Sequence, residues 1–247
     1  VLVPRVYLAK TTMTQIRDGE ANGAAVVSAG DHIVIDADSM TNASGSIVAG
    51  GDVIIRAKDD LVNVSAGMTG GISAGGSVSL DSINGSIKNN GAYISAGQDL
   101  FMKADNGSVD ISASVGYDAD GKHRIHEFAD SINAGGNIQI KGKDVTLNSA
   151  TIDAKKNVAI EATSGSIQSN EMHEMDADFS HIYQGGGLNY KSTETKSSSA
   201  DGIGSTIKAG EGLGMKAAED IVLEGGKYSG ESGKMEAGNK LDIKTST

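Results

Sequence analysis

The sequence contains no cysteine and no tryptophan, a single proline, and only 4% aromatic residues. The absence of cysteine excludes disulfides, and by itself it is compatible with a reducing or an oxidising compartment. With so few aromatic residues, a core has to be assembled from isoleucine, valine, leucine, methionine and alanine, and each larger aliphatic side chain contributes about 1.5–3 kcal/mol on burial. Glycine, in contrast, is abundant, with 34 residues among 247.

The chain also lacks an excess of positive charge and any long apolar run. Its formal net charge is −11 and its pI is about 4.8, which argues against a nucleic-acid backbone or an anionic membrane surface as a partner. No stretch approaches the roughly 18 consecutive apolar residues of a membrane-spanning helix. No signal peptide is recognisable at VLVPRVYLAK (1–10), and we expect the chain to be a segment of a much larger protein.

An eleven-residue pattern occurs eight times along the chain. Clear copies read IVAGGDVIIRA (47–57), INAGGNIQIKG (132–142) and IDAKKNVAIEA (152–162). The central alanines are Ala29, Ala49, Ala74, Ala96, Ala134, Ala154, Ala209 and Ala237. Four and six residues after each alanine, the residue is apolar in all sixteen cases. Alternation with a period of two predicts strands with one buried face.

The intervals between the alanines indicate the size of one coil. They are 20, 25, 22, 38, 20, 55 and 28 residues, so one coil takes about 20 residues. We interpret 28 as one coil plus a short insertion, 38 as nearly two coils, and 55 as one or two coils plus a long insertion. A glycine or polar residue two positions after each alanine predicts a corner. Third strands follow, for example at DLVNV (60–64), DVTLN (144–148) and DIVLE (220–224).

These features predict an all-β fold, a right-handed parallel β-helix of about ten coils. A left-handed helix is disfavoured because the chain lacks hexapeptide repeats. We expect a single domain over residues 1–247, with residues 1–20 as a capping segment. Within one coil the expected buried residues are Ile47, Ala49, Val53 and Ile55, and the expected exposed residues are Ile54 and Arg56.

The sequence presents no recognisable catalytic, cofactor-binding or metal site. His123 and His126 match neither of the zinc-protease orders HExxH and HxxEH. The segment 118–121 resembles the start of a calcium loop, but an EF-hand counted from there would need its bidentate glutamate at Ala129. Gly-Gly-Gly at 185–187 is followed by no GK[ST] and is interpreted as a flexible linker. Because outward-facing residues form no column of carboxylates, we predict a protein without enzymatic activity or cofactor.

Two polar stretches, 113–129 and 169–205, interrupt the repeat. The second is the longer and contains Phe179, Tyr183 and Tyr190, followed by a serine- and threonine-rich run at 193–199 that we expect to be mobile. Insertions into solenoids form loops on one face, often the binding face. The three aromatic residues are therefore candidate contact residues. The alternative is a hairpin that only covers the side of the β-helix.

Several segments carry a family resemblance. AGGDVIIRAKDDL (49–61), ISAGGSVSL (72–80), INAGGNIQIKGKDVTL (132–147) and IKAGEGLGMKAAEDIVLEG (207–225) resemble filamentous haemagglutinin repeats of two-partner secretion exoproteins. The segment GSTIKAG (204–210) after a glycine- and serine-rich insertion resembles the repeat class found in shafts of contact-dependent growth inhibition exoproteins, and PRVYLAK (4–10) resembles the start of that region. The resemblance covers residues 20–247.

The resemblance implies a secreted protein on the surface of a Gram-negative cell, anchored at the outer membrane or released. Its implied partners are a cognate outer-membrane secretion pore and the surface of a target or host cell. The leading expectation is a stalk that delivers a toxin in contact-dependent growth inhibition. The alternatives are the shaft of an adhesin that binds host cells and, third, a carbohydrate-active β-helix enzyme.

Overall fold

The computed structural model describes residues 25–65, 70–117, 123–125, 131–186 and 189–245. Within these ranges the chain forms 28 strands, arranged as three parallel eight-stranded sheets and one antiparallel four-stranded sheet. Each coil contributes one strand to each parallel sheet, which we call sheets A, B and C. The predicted parallel β-helix is confirmed.

The strands of each sheet stack in chain order. Sheet A contains β1 (Val26–Ala29), β4 (Ser46–Ala49), β7 (Gly71–Ala74), β10 (Tyr93–Ala96), β15 (Ser131–Ala134), β18 (Thr151–Ala154), β23 (Thr206–Ala209) and β26 (Lys227–Ser229). Sheet B contains β2 (Ile33–Ala37), β5 (Val53–Ala57), β8 (Val78–Ser82), β11 (Leu100–Ala104), β16 (Ile138–Gly142), β19 (Val158–Ala162), β24 (Gly212–Ala217) and β27 (Ser232–Ala237). Sheet C contains β3 (Met40–Ala43), β6 (Leu61–Val64), β9 (Ile87–Asn90), β12 (Val109–Ser112), β17 (Val145–Asn148), β20 (Ile167–Asn170), β25 (Ile221–Glu224) and β28 (Leu241–Lys244). The fourth sheet, which we call the insertion sheet, contains β13 (Val115–Tyr117), β14 (His123–Ile125), β21 (Met172–Gly186) and β22 (Asn189–Ile203).

The alternation of apolar residues along each strand produces one continuous core. Ile47 and Ala49 are each 4% exposed, Val53 and Ile55 are completely buried, and Arg56 is exposed, all as predicted. Ile54 is half-buried instead of exposed. Neighbouring coils pair Ile47 with Ile72 and Val53 with Val78, so burial of one strand face is repeated with the same register through the inner coils. At the two ends of the solenoid this burial is lost, and Val27, Leu241 and Ile243 are exposed.

The number of coils differs from the expectation. The described residues form eight coils, because β10 pairs directly with β15 and β18 pairs directly with β23. The interval of 38 residues is therefore one coil plus an insertion, not nearly two coils, and the interval of 55 is also one coil plus an insertion. Each insertion leaves the solenoid after sheet C and returns at sheet A, so it adds chain length without adding a core layer.

The eighth copy of the repeat is displaced by one strand. Ala237 ends a strand of sheet B and pairs with Ala217, and Leu241 pairs with Ile221 in sheet C. The sheet A strand of the last coil contains Tyr228, which pairs with Ile207. The pattern does not separate the two positions, because the corner between sheets B and C also carries a small residue before an alternating apolar strand. The interval of 28 residues is therefore one coil plus one strand and corner, without an insertion.

A column of polar side chains holds the corner between sheets A and B. Asp52 accepts a 2.7 Å hydrogen bond from the backbone N–H of Ser77 in the next coil, and Asp99 accepts a 2.7 Å bond from the N–H of Asn137. Gly76 lies beside this column, where a Cβ would stand 2.2 Å from the Asp52 carboxylate. The glycine is required there because a side chain would displace the hydrogen-bonding carboxylate.

Three asparagines form a buried ladder in the first three coils. The side-chain amide of Asn42 donates to Asn63 at 2.8 Å, and that of Asn63 donates to Asn89 at 2.7 Å. The ladder ends where the amide of Asn89 donates to the carbonyl of Ala92 at 2.8 Å. Since buried amides without partners are costly, the ladder fixes the register of these coils.

Candidate binding surface

The insertion sheet is the largest departure from the solenoid. Strands β21 and β22 pair over 15 residues, from Met172–Ile203 at the base to Gly186–Asn189 at the far end. At about 3.4 Å per residue the hairpin is about 50 Å long. Strands β13 and β14 pair with each other, and β14 joins β21 where His123 lies opposite Met175. Two insertions that leave from different coils thus form one sheet.

The three aromatic contact candidates lie in the long hairpin. Phe179 pairs with Lys196, Tyr183 pairs with Ser192, and Tyr190 pairs with Gly185. Their role as contact residues stays a prediction.

Some of the other candidate residues lie in this sheet. The serine- and threonine-rich run 193–199 belongs to strand β22 instead of a loop, because each of its residues has a partner on β21. Gly185 and Gly186 end β21, so the interpretation as a linker is wrong for these two residues. His123 lies in β14. His126, residue 187 and the possible calcium-loop residues 118–121 lie outside the described residues.

Ser149 anchors both ends of the long hairpin to the coil beneath it. Its hydroxyl accepts a 3.0 Å hydrogen bond from the backbone N–H of Met172 and donates a 2.5 Å bond to the carbonyl of Ile203. Ser149 itself adopts a positive φ of 52° at the corner between sheets C and A. Ser205 adds a second attachment, where its hydroxyl accepts a 3.1 Å bond from the N–H of Ala150.

A cleft of about 620 Å³ lies beside this corner. Its lining is neutral and includes Asn90, Ser112, Ser114, Asn148 and the apolar Met172. Asn90, Ser112 and Asn148 occupy the same register position at the ends of successive sheet C strands. The eleven-residue pattern includes neither this polar column nor Ser149. An alignment of the third strands, such as VNV, KNN, DIS and TLN, contains the signal.

No group of three or more histidine, cysteine, aspartate or glutamate side chains in the described ranges could hold a metal ion. Hydrogen bonding from the Asn137 backbone lowers the pKa of Asp99 below its ordinary value, and this carboxylate acts within the corner column. On the outer face of sheet B no two neighbouring coils pair carboxylates with each other, so no carboxylate column forms there.

No helix in the described part of the chain has the length and apolar character needed to cross a membrane.

A solenoid of stacked parallel strands carrying a long lateral insertion defines a rod-like structural protein. Residues 111–247 match the family model described as "Hemagglutinin repeat". The match covers more than half of the 247 residues, and the chain belongs to this family. Comparison with curated proteins and with solved structures gives no match. The chain is therefore a β-helical stalk segment of a filamentous haemagglutinin-type protein, and that family is one of exported bacterial surface proteins.

Proposed function

We propose that this segment is the non-enzymatic stalk and delivery element of a large exoprotein exported by two-partner secretion at a Gram-negative outer membrane, acting in contact-dependent growth inhibition. The observation that carries the proposal is the combination of a continuous solenoid core with a 15-residue-pair hairpin anchored at one corner. The solenoid supplies a stiff rod, and the hairpin supplies a lateral element that can contact another cell.

The solenoid suits a stalk because each coil packs only against its neighbours. Eight coils spaced about 4.8 Å apart give a rod of about 38 Å, and the length grows with each added coil. The core column is uninterrupted from Ile47 to Leu223. A rod of this kind carries a distal module away from the cell surface without needing a globular core of its own.

The proposed first partner is the cognate secretion pore. A chain without cysteine can form no disulfide before transit, which suits passage through a narrow pore in the unfolded state. After transit the coils fold one on another, because most contacts lie between adjacent coils. The proposed second partner is the surface of the target cell, and the hairpin that carries Phe179, Tyr183 and Tyr190 is its contact element.

An adhesin shaft is the second candidate function. It is favoured by the presence of three aromatic residues in the paired strands of the hairpin, because aromatic side chains contribute strongly to protein interfaces. In this alternative the hairpin binds a host-cell receptor and no toxin is delivered.

The test uses the intact parent protein on living cells, with residues 172–203 replaced by a short glycine-serine link. Surface display is measured by protease accessibility, attachment by cell counting, and delivery by growth of the target cells. We expect normal display with reduced delivery. Normal display with lost attachment to host cells and no effect on target growth would favour the adhesin. Unchanged delivery and attachment would contradict a contact role of the hairpin.

The absence of enzymatic activity is tested separately on the purified chain. Incubation with polysaccharides, with and without divalent metal ions, should release no reducing ends. Cleavage that is abolished by changing a single carboxylate would overturn the proposal.

A further inference from the structure

The outer face of sheet B has two columns of side chains, because each of its strands has two outward positions. The charge column occupies the second outward position. Its first four coils carry Asp36, Arg56, Asp81 and Lys103. Its last four coils carry Lys141, Glu161, Lys216 and Glu236. The sign alternates at every step except between Lys103 and Lys141, so the column reads the same from either end.

Within one chain this column forms ordinary ion pairs. Arg56 lies 3.5 Å from Asp36, and Lys141 lies 2.8 Å from Glu161. These pairs are largely solvent-exposed and contribute little to stability. Cross-strand pairing favours opposite charges on neighbouring coils, and the single interruption, between Lys103 and Lys141, falls at the middle of the column.

The other column, which we call the size column, divides into a bulky half, with three large apolar residues among four, and a small half, which contains the two smallest residues of the column. The first four coils carry Val34, Ile54, Ser79 and Phe101. The last four carry Gln139, Ala159, Gly214 and Lys234. Val34 is 55% exposed. Shallow space remains at the small half, where a cleft of about 260 Å³ is lined by Ala159 and Gly214 among other residues.

Gly214 is not required by the packing of its own coil. A Cβ built there would meet only the carbonyl oxygen of Val158, at 3.9 Å, which is ordinary van der Waals contact. Most other described glycines would bring a Cβ closer than 3.0 Å to a neighbouring atom. The missing side chain at Gly214 thus leaves a hollow on the outer face without serving the solenoid itself.

We propose that sheet B is a self-complementary docking face for a second copy of this chain. The two-fold axis lies in the interface, parallel to β11, and the two solenoids run in opposite directions. When the coils are numbered 1 to 8 along the chain, coil n of one copy then faces coil 8 − n of the other, and coil 4 faces itself. Asp36 faces Lys216, Arg56 faces Glu161 and Asp81 faces Lys141. In the size column Val34 faces Gly214, Ile54 faces Ala159, Ser79 faces Gln139 and Phe101 faces its own symmetry mate.

Lys103 is the one charge that meets a like charge in this arrangement, at the two-fold axis. It is already paired within its own chain, since its ammonium lies 2.7 Å from the carboxylate of Asp105. This internal pair reduces the repulsion between the two central lysines.

Other registers fit less well. Moving the axis between the fourth and fifth coils opposes like charges at every coil, which disfavours that pairing. Moving the axis onto the fifth coil restores the pairing of opposite charges across the interface. In that register, however, Lys234 lies on Ile54 and Val34 has no partner in the other copy. With both solenoids pointing the same way, the strands are reversed across the interface. Asp36 would then lie on Val34 and Lys103 on Phe101, burying charge against apolar surface.

The face is large enough and accessible. Seven coils at about 4.8 Å, with strands of five residues at about 3.3 Å, give about 1,100 Å² for both copies together, at the lower end for specific interfaces. Both insertions leave from the corner between sheets C and A, which is the corner opposite sheet B. Among the described residues, no strand of the insertion sheet pairs with sheet B.

If the segment is a surface stalk, as proposed above, antiparallel pairing would join copies that project from two facing cells. Stalks that stand side by side on one cell run in the same direction and would not pair through this face. This consequence rests on the proposed function, whereas the pairing itself can be tested in solution.

The first experiment measures self-association of the 247-residue chain by sedimentation between about 10 µM and 1 mM. We expect a concentration-dependent dimer. Gly214→Gln should weaken the dimer about ten-fold, because the new side chain fills the hollow that receives Val34. Ala159→Gln serves as a second variant, opposite Ile54. Ser73→Gln, a matched change on the outer face of sheet A, should leave the dimer unchanged. A monomer throughout, or equal association of all variants, would overturn the proposal.

The second experiment uses the absence of cysteine. Lys103→Cys puts a thiol at the two-fold axis, and a bismaleimide should cross-link the two copies. Lys234→Cys lies on the same face in the last coil, where the two thiols would be about 38 Å apart, and should give no cross-link. No cross-link at position 103, or equal cross-linking at both positions, would contradict this pairing. Neither experiment depends on the function of the stalk, so their failure would leave the proposed function untouched.

Discussion

The hydroxyl of Tyr228 in the last coil donates a 2.7 Å hydrogen bond to the hydroxyl of Ser169, two coils earlier. Ser169 is completely buried, and Tyr228 takes the inward position that isoleucine occupies in the preceding coil. The tyrosine therefore fills the core with its ring and satisfies a buried polar group with its hydroxyl. This single contact ties the eighth coil to the sixth across the end of the core.

Tyr228→Phe should destabilise the chain by about 1–3 kcal/mol, because the Ser169 hydroxyl is then buried without this partner. Urea unfolding at neutral pH measures the loss. Tyr93→Phe, on the outer face of sheet A, should have a much smaller effect. Equal stability of the Tyr228 variant and the unaltered chain would show that the bond does not contribute.

The same residue predicts a response to alkaline pH. Burial raises the pKa of Tyr228 above its ordinary value of 10.0, and the bond to Ser169 opposes part of this increase. Because the folded pKa is the higher one, the contribution to stability is complete below the ordinary pKa and is lost as pH rises through the folded pKa. The unaltered chain should therefore lose more stability than Tyr228→Phe between pH 9 and 11. An identical pH dependence of both would contradict the assignment.

The sequence was sufficient to predict the solenoid because each strand repeats one simple constraint. Alternating residues such as Val53 and Ile55 can be buried only on one face, and this constraint recurs in every coil. The alternation of apolar residues does not distinguish one corner of the coil from another. The corner after Ala217 resembles the corner after Ala209, so the eleven-residue pattern places the last coil one strand too late. The expected number of coils is too high for a related reason. The number of residues between two repeats does not show whether the intervening segment adds a coil to the core or leaves it as an insertion.

Asp99 predicts a response to acid. Its pKa is lowered mainly by the hydrogen bond from the backbone N–H of Asn137. A depressed folded pKa contributes stability that is present above the ordinary value of 3.8 and is lost as pH falls through the folded pKa. Asp99→Asn keeps an acceptor at the same place, as Asn157 does for Gly212 at 2.9 Å. We expect similar urea midpoints at pH 7 and a smaller loss for the variant at pH 3.

Asp110→Asn is the matched control, because Asp110 lies on the outer face of sheet C and away from the corner column. It should not reproduce the change in acid sensitivity. If both variants change the loss of stability at low pH equally, the change in net charge explains the result and the hydrogen bond of Asp99 in the corner column does not.

The alternation of buried and exposed residues is tested within one strand. Ile140 is 1% exposed, whereas its neighbour Gln139 is exposed. Ile140→Asp buries an unpaired carboxylate in the core and should cost several kcal/mol, about 3 or more. Gln139→Asp should change the free energy of unfolding by about 0.5 kcal/mol or less. Thermal melting of the two variants gives the comparison, and similar melting temperatures would contradict the assignment of faces.

The candidate binding surface was less predictable than the fold. Composition located an insertion at 169–205, but polar residues such as Ser197 and Ser198 do not indicate a strand by themselves. They form one because β21 offers a complete partner across the turn, with Ala177 opposite Ser198. The meeting of the two insertions depends on stacking of the coils, and sequence order separates their residues by about fifty positions. Only the three-dimensional register brings His123 opposite Met175.

The long hairpin should be dispensable for folding of the solenoid. Strands β18 and β23 pair directly, with Ile152 on Ile207, so the core is continuous beneath the insertion. Replacing residues 172–203 with a short glycine-serine link removes the two hydrogen bonds of Ser149 to the hairpin ends, at a net cost of about 1–3 kcal/mol. Circular dichroism should retain the β signal, and melting should stay cooperative. As a control, Ser149→Ala in the complete chain removes the same two bonds without shortening it and should lower stability by a similar amount. Loss of the β signal in the deletion but not in Ser149→Ala would mean that the hairpin is needed to build the core.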